Sequence, residues 1–302
     1  MPWRNYIGLH VPSQTPVSIK RRYSITADIL SFQRCSMQYS EFKVRKYEPA
    51  LALQLFYGTI IHQVLDRAHT HFRGLIGPNV PGSLPTDQEI DGYFLEVENS
   101  LRARRISAVV QVRDQALTIL KRFNTLEGPT LYHRILNTEC KLQADQGNYI
   151  LHGNVDVLAT YEGDPNEVEI WDYKGSDRPS QGDPLYQQYV YQMQVYAELY
   201  RRRTGQTPKR AVLYFLNSLS GPSTPTTRPV NSMLEVTLDQ TSINTAMQNF
   251  AATVNVIEQC RAANNWPNPN TPPPEETCNA CDKRWNCLAA ANLGRTYQLL
   301  YP

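Results

Sequence analysis

The sequence predicts an α/β fold, a mixed central sheet with flanking helices, and three observations carry that prediction. Residues 149–174 read as two strands joined by a short turn. Apolar stripes with helical spacing run through 51–73, 185–203 and 240–262. Three cysteines lie between 278 and 287 and another stands at 35, so a shared metal would tie the two ends of one domain together.

Residues 1–24 are polar and irregular, with Lys20, Arg21 and Arg22 adjacent, and read as a solvated basic arm that could touch phosphate. Thr26 is placed to cap a short helix carrying Ile29, Leu30 and Phe32, with Cys35 near its end. The helix at 51–73 buries Leu51, Leu55, Ile61, Val64, Leu65 and Ala68; Gly58 leaves room for a close approach. His62 borders that stripe. It is either a packed structural histidine or, with Asp66 and His69, part of a helix-borne metal set. A Gly/Pro-rich loop at 74–85 leads to helices near 86–105 and 107–126, the first ending in Arg102, Arg104 and Arg105. A strand follows at 134–144 with Leu136, Cys140 and Leu142 on one face. Glu139 points the other way, toward either a site or solvent.

In the hairpin, Tyr149, Leu151, Gly153, Val155 and Val157 alternate with their neighbours at period two. Glu-Gly-Asp-Pro-Asn forms the turn, and the second strand starts at Val168. Centring the hairpin on Asp164 sets Asp156 opposite Asp172, with Cβ atoms roughly 4.5–5.5 Å apart. Lys174, two residues on, shares the face of Asp172. Paired like charges are held together by a cation between them, and carboxylate oxygens suit Mg²⁺ or Mn²⁺. The competing reading is a solvated strand face, against which stand the apolar Val168, Ile170 and Trp171.

A loop over 175–184 precedes the helix at 185–203, which sets Gln192 and Tyr196 on one face and closes with Arg201, Arg202 and Arg203 before Gly205. Strands are expected at 210–217 and 233–238. The helix at 240–262 packs through Ile243, Met247, Phe250, Val254, Ile257 and Cys260. An extended Pro/Asn-rich stretch leads to the cysteines, and 291–302 is a tail.

With 302 residues and 41% hydrophobic content, the chain can build a sizeable core. A net charge of +2 confines any nucleic-acid surface to a local patch. No long apolar run suggests a membrane span, and no apolar leader suggests secretion. Clustered cysteines too few for a disulfide scaffold point to metal ligation in a reducing, intracellular setting. Cys278, Cys281 and Cys287 lack one ligand of a tetrahedral set, and Cys35 is the candidate for it. Zinc and a 4Fe–4S cluster both accept four thiolates; the one-plus-three spacing fits the cluster better.

Taken together, GTIIHQVLD (58–66), GNVD (153–156), WDYKG (171–175) and QMQVY (192–196) resemble, in order, the motifs of RecB-like nucleases of the PD-(D/E)xK superfamily. The single early cysteine and the late C-x2-C-x5-C resemble its iron–sulfur subgroup, which includes AddB, exonuclease V and CRISPR-associated exonucleases. The resemblance spans about 25–290 and implies a restriction-endonuclease-like sheet with a helical insertion near 74–130. It implies that His62, Asp156, Asp172 and the carbonyl of Tyr173 bind Mn²⁺ or Mg²⁺, and that Lys174 helps activate water. Gln192 and Tyr196 would support the site and contact the DNA backbone. Cys35, Cys278, Cys281 and Cys287 would hold a 4Fe–4S cluster. The implied activity is hydrolysis of single-stranded DNA or DNA ends, with a helicase, CRISPR, defence or repair protein as partner; the alternative is a non-catalytic or partner-dependent DNA-binding subunit. Arg102, Arg104, Arg105, Arg201, Arg202 and Arg203 together are the candidate surface for the strand. The chain departs from many members in having Asp172 where they carry Glu.

Overall fold

The structure, a computed structural model, describes residues 20–47, 53–76, 80–267, 273–279 and 281–287. Most of the arm at 1–24, Leu51 and the tail at 291–302 lie outside them. Among the described residues the strands are β1 (Arg21–Ser24), β2 (Ile135–Asp145), β3 (Tyr149–Tyr161), β4 (Asp164–Lys174), β5 (Arg210–Phe215) and β6 (Met233–Val236). They form one mixed sheet in the order β1-β3-β4-β5-β6, with β2 also paired to β3. The long helices are α1 (Leu53–Phe72), α2 (Asp87–Ala103), α3 (Val110–Leu131), α4 (Pro184–Thr204) and α5 (Gln240–Ala263).

Strand alternation divides the core into two layers. Ile170, Ala211, Leu213 and Phe215 face α4 and α5, where they meet Met193, Leu199, Phe250 and Val254. Trp171, Tyr173, Val212 and Tyr214 face α1, α2 and α3, where they meet Ile61, Val64, Phe94 and Phe123. The parallel pair β4 and β5 needs a crossover, and α4 supplies it. Its ends follow the sequence: the Asp183 side chain accepts from Leu185 N, Pro184 opens the helix, and Gly205 closes it at φ 83°. Thr86 and Glu89 cap α2 reciprocally.

Several elements depart from expectation. Arg21–Ser24 is not an irregular arm but an edge strand, parallel to β3. Ser24, rather than Thr26, caps the helical segment that follows, accepting from Ala27 N. The hairpin turn shrinks to Glu162 and Gly163, so β4 begins at Asp164 instead of Val168. A register shift between Thr160 and Tyr161 absorbs the difference, and Val157 still lies opposite Trp171. Leu136 is exposed because a second shift, between Ile135 and Asn137, breaks its strand's alternation. The two arginine groups do not form one surface. Arg102, Arg104 and Arg105 end α2 in one layer, and Arg201, Arg202 and Arg203 end α4 in the other.

Candidate functional site

The site occupies a gap in the sheet. The pairing of β1 with β3 ends at Ser24↔His152, and that of β3 with β4 begins at Val157↔Trp171. Between them Gly153, Asn154, Val155 and Asp156 pair with β2 on one side and, among the described residues, with no strand on the other. Asp156 uses that freedom. Its Oδ2 accepts from the backbone N–H of Tyr173 at 2.7 Å and lies 3.3 Å from Nδ1 of His62 on α1.

At the same level β2 and β3 both reverse their pleat. Cys140 and Val155 pack toward α4, whereas Thr138 reaches Asp66 of α1 and Val157 joins the α1 layer. In β2 the reversal is made by Glu139, whose φ of 47° is a left-handed conformation costing a non-glycine residue on the order of 1–2 kcal/mol. It brings one ligand atom each of His62, Glu139 and Asp156 within 4.8 Å of one another. Asn154 donates to the Glu139 carboxylate and holds it there.

Asp172 faces α4. Its Oδ1 accepts from Gln192 Nε2 at 2.7 Å, and its Oδ2 lies 2.5 Å from Lys174 Nζ. Lys174 in turn donates to Gln192 Oε1 at 2.9 Å, closing a triangle, and stands 4.9 Å from the ring centre of Tyr189. Tyr196, one turn beyond Gln192, lies against Gly153, where an added Cβ would come within 2.8 Å of its ring. Its hydroxyl meets the side chains of Gln192 and Thr26.

Burial alone would lower the His62 pKa, but the Asp156 carboxylate outweighs it and raises the imidazole to about 9. Burial, with Asp156 adding to it, raises Asp172 despite the ammonium beside it. Burial would also discharge Lys174; the Asp172 carboxylate reverses that and keeps it cationic. Burial and Asp156 together raise Glu139. The arrangement concentrates negative charge around one imidazole. Hard oxygen donors with a single nitrogen suit Mg²⁺ or Mn²⁺, and a cation among them would offset the repulsion that raises both acids.

His62, Asp156, Asp172, Tyr173, Lys174, Gln192 and Tyr196 gather at the gap, but Asp156 and Asp172 are not the facing ladder pair expected: the pairing of β3 with β4 stops at Val157↔Trp171, Asp156 turns to His62 of α1, and Asp172 turns to Gln192 of α4. The set His62, Asp66 and His69 does not form. Asp66 accepts from Thr138 at 2.6 Å, and His69 is buried 4.8 Å from the ring of Tyr132, where burial lowers its pKa to about 3. Gln192 is 2% exposed, so its polar atoms serve Asp172 and Lys174 rather than reach DNA. Sequence reasoning left Glu139 open and missed Asn154 and Tyr189. A signal for Asn154 was its place beside Asp156 on the strand.

The early and late cysteine segments come together. Cys35, Cys278, Cys281 and Cys287 line one cavity of about 250 Å³ with Met37, Gln38 and Arg284. Gln38 donates to the Thr277 carbonyl at 3.4 Å, and Lys283 lies 3.7 Å from Glu41, so the two segments meet directly. Tetrahedral zinc, with Zn–S bonds near 2.3 Å, needs sulfurs about 3.8 Å apart. Among the described residues, no three cysteine sulfurs lie within 4.8 Å of one another.

Comparison with known proteins agrees with this geometry. A family model of the PD-(D/E)XK nuclease superfamily matches residues 27–288. Comparison with curated proteins finds no match. Among solved structures, the chain is similar to a "Putative exonuclease" from Eubacterium rectale at 12% identity and a TM-score of 0.43, over 76% of this chain and 84% of that one. It is also similar to SSO0001 at 13% identity and a TM-score of 0.35, over 86% of this chain and 96% of that one. The family match covers β2 to β6, the gap with its carboxylates and the lysine triangle, and the chain belongs to the PD-(D/E)XK nuclease superfamily.

Proposed function

We propose that this chain is a divalent-metal-dependent deoxyribonuclease that degrades single-stranded DNA from an end. The observation that carries the reading is the convergence of Asp156, Asp172, Lys174 and His62 at the sheet gap. His62, Asp156, Asp172 and the Tyr173 carbonyl are the proposed ligands. A bound Mg²⁺ or Mn²⁺ would supply polarisation of the scissile phosphate and a lowered pKa for attacking water.

The chain's own groups do the positioning. The Tyr173 N–H fixes the Asp156 carboxylate, leaving its other oxygen available. Gln192 fixes Asp172 and Lys174 at once, so the ammonium is already oriented when charge builds on the phosphate. Tyr196 supports Gln192 from one helical turn away. At the four cysteines we propose a 4Fe–4S cluster, supported by the cavity that Cys35, Cys278, Cys281 and Cys287 share.

The test is digestion of labelled single-stranded DNA with Mn²⁺, offered as linear and as circular molecules. Loss of the linear strand with the circle intact is the expected result. Cutting of the circle would overturn the end-directed mode, and no cutting of either would overturn the nuclease reading.

A further inference from the structure

The chain is nearly neutral overall, yet one groove beside the site is lined by cations and by no carboxylate. It has a volume of about 560 Å³ and runs over β1, β2 and β3 to the end of α4. Arg22, Lys141 and Arg203 line it together with Thr26, Gln143 and His152. Each cation comes from a different element, and the pairing explains why they meet. Lys141 lies opposite Asn154, and Arg22 opposite Ile150, on the two sides of β3. Arg203 reaches back from α4 to the Lys141 carbonyl at 3.1 Å.

None of the three has a carboxylate partner among the described residues. Their neighbours behave otherwise: Arg201 and Arg202 are both tied to Glu198, Lys20 to Asp145, and Arg21 to Glu258. The nearby carboxylate of Asp28 is already occupied by Ser24 and Tyr39. Three uncompensated cations in one concave surface repel one another, and an anion spread along the groove relieves that repulsion.

The groove borders the site through two of its wall residues. Its wall includes Asn154, which donates to Glu139, and Tyr196, which meets Gln192. A different cavity is lined by His62 and Lys174 of the site together with Tyr57, Tyr173 and Tyr189.

We propose that the groove of Arg22, Lys141 and Arg203 holds the sugar-phosphate backbone of the single DNA strand that feeds the site. The proposal rests on the nuclease reading for its substrate, while its measurement does not. Binding of a fluorescein-labelled single strand of about 20 nucleotides is followed by anisotropy in Ca²⁺ across a salt series, without reading cleavage. Each lost phosphate contact on a single strand flattens the plot of log affinity against log salt by about 0.7. The variant Arg22→Gln/Lys141→Gln/Arg203→Gln is expected to flatten it by about 2 and to weaken binding on the order of 100-fold at 0.1 M salt. The charge-preserving variant Arg22→Lys/Lys141→Arg/Arg203→Lys is expected to keep the wild-type slope, which separates lost charge from lost fold. Arg104→Gln/Arg105→Gln, at the end of α2 in the other layer, is expected to bind as wild type does.

An unchanged slope in the triple glutamine variant would overturn the groove. Equal flattening per charge in the α2 variant would do the same, because the effect would then be general charge. A wild type that binds no DNA would overturn the groove and the nuclease reading together. Salt-dependent binding through the groove by a protein that never cuts would defeat the nuclease reading and leave the groove standing.

Discussion

His62 decides how the site responds to pH. Its imidazole holds a proton up to about pH 9 because Asp156 lies beside it, and a metal ion can take that nitrogen only when the proton leaves. Below pH 9, Mn²⁺ affinity is therefore expected to fall with pH, by up to tenfold per unit. Titration calorimetry at pH 7, 8 and 9 measures it, and His62→Asn is expected to flatten the dependence. An affinity independent of pH in the wild type would remove His62 from the ligand set. Asp156, Asp172 and Lys174 were legible as candidates from the hairpin pattern, but their arrangement was not: β3 reverses its pleat beside Asp156, so that carboxylate turns to α1 while Asp172 turns to α4. Glu139 was not legible. Its direction depends on a left-handed backbone, which a glutamate inside a strand does not announce.

Among the elements, long amphipathic helices and alternating strands were legible and short pairings were not. β1 has four residues, two of them arginines, and owes its existence to an edge of β3 far along the chain. Local pattern carries no trace of that partner. Its cost to the reading was real, since β1 and β4 share one edge of β3 and the site lies where neither covers it. The cysteine segments were legible from spacing, and the structure brings them to one cavity. Protein purified without oxygen is expected to be brown, with four iron and four sulfide per chain. Cys281→Ala is expected to lose the colour and melt at a lower temperature, as closure between the two ends is lost. A colourless protein with one zinc per chain would contradict the cluster.

For the whole molecule, two core layers hold a mixed sheet open at one place, and the chemistry collects there. The helices supply groups from opposite sides: His62 from α1, Gln192 and Tyr196 from α4. Which layer each helix joins was beyond the sequence, and for that reason the arginine groups read as one surface fall on two. Beside the site Lys20, Arg21, Arg201 and Arg202 are each ion-paired, and Arg22, Lys141 and Arg203 stand out beside them as unpaired among the described residues. The most direct measurement of the central claim is the single-turnover digestion of labelled single-stranded DNA in Mn²⁺, wild type beside Lys174→Ala. The account expects the variant to cut about 100- to 1,000-fold more slowly while binding DNA as tightly in Ca²⁺. A variant cutting within a few-fold of wild type, or a wild type that cuts equally well in a chelator, would contradict it.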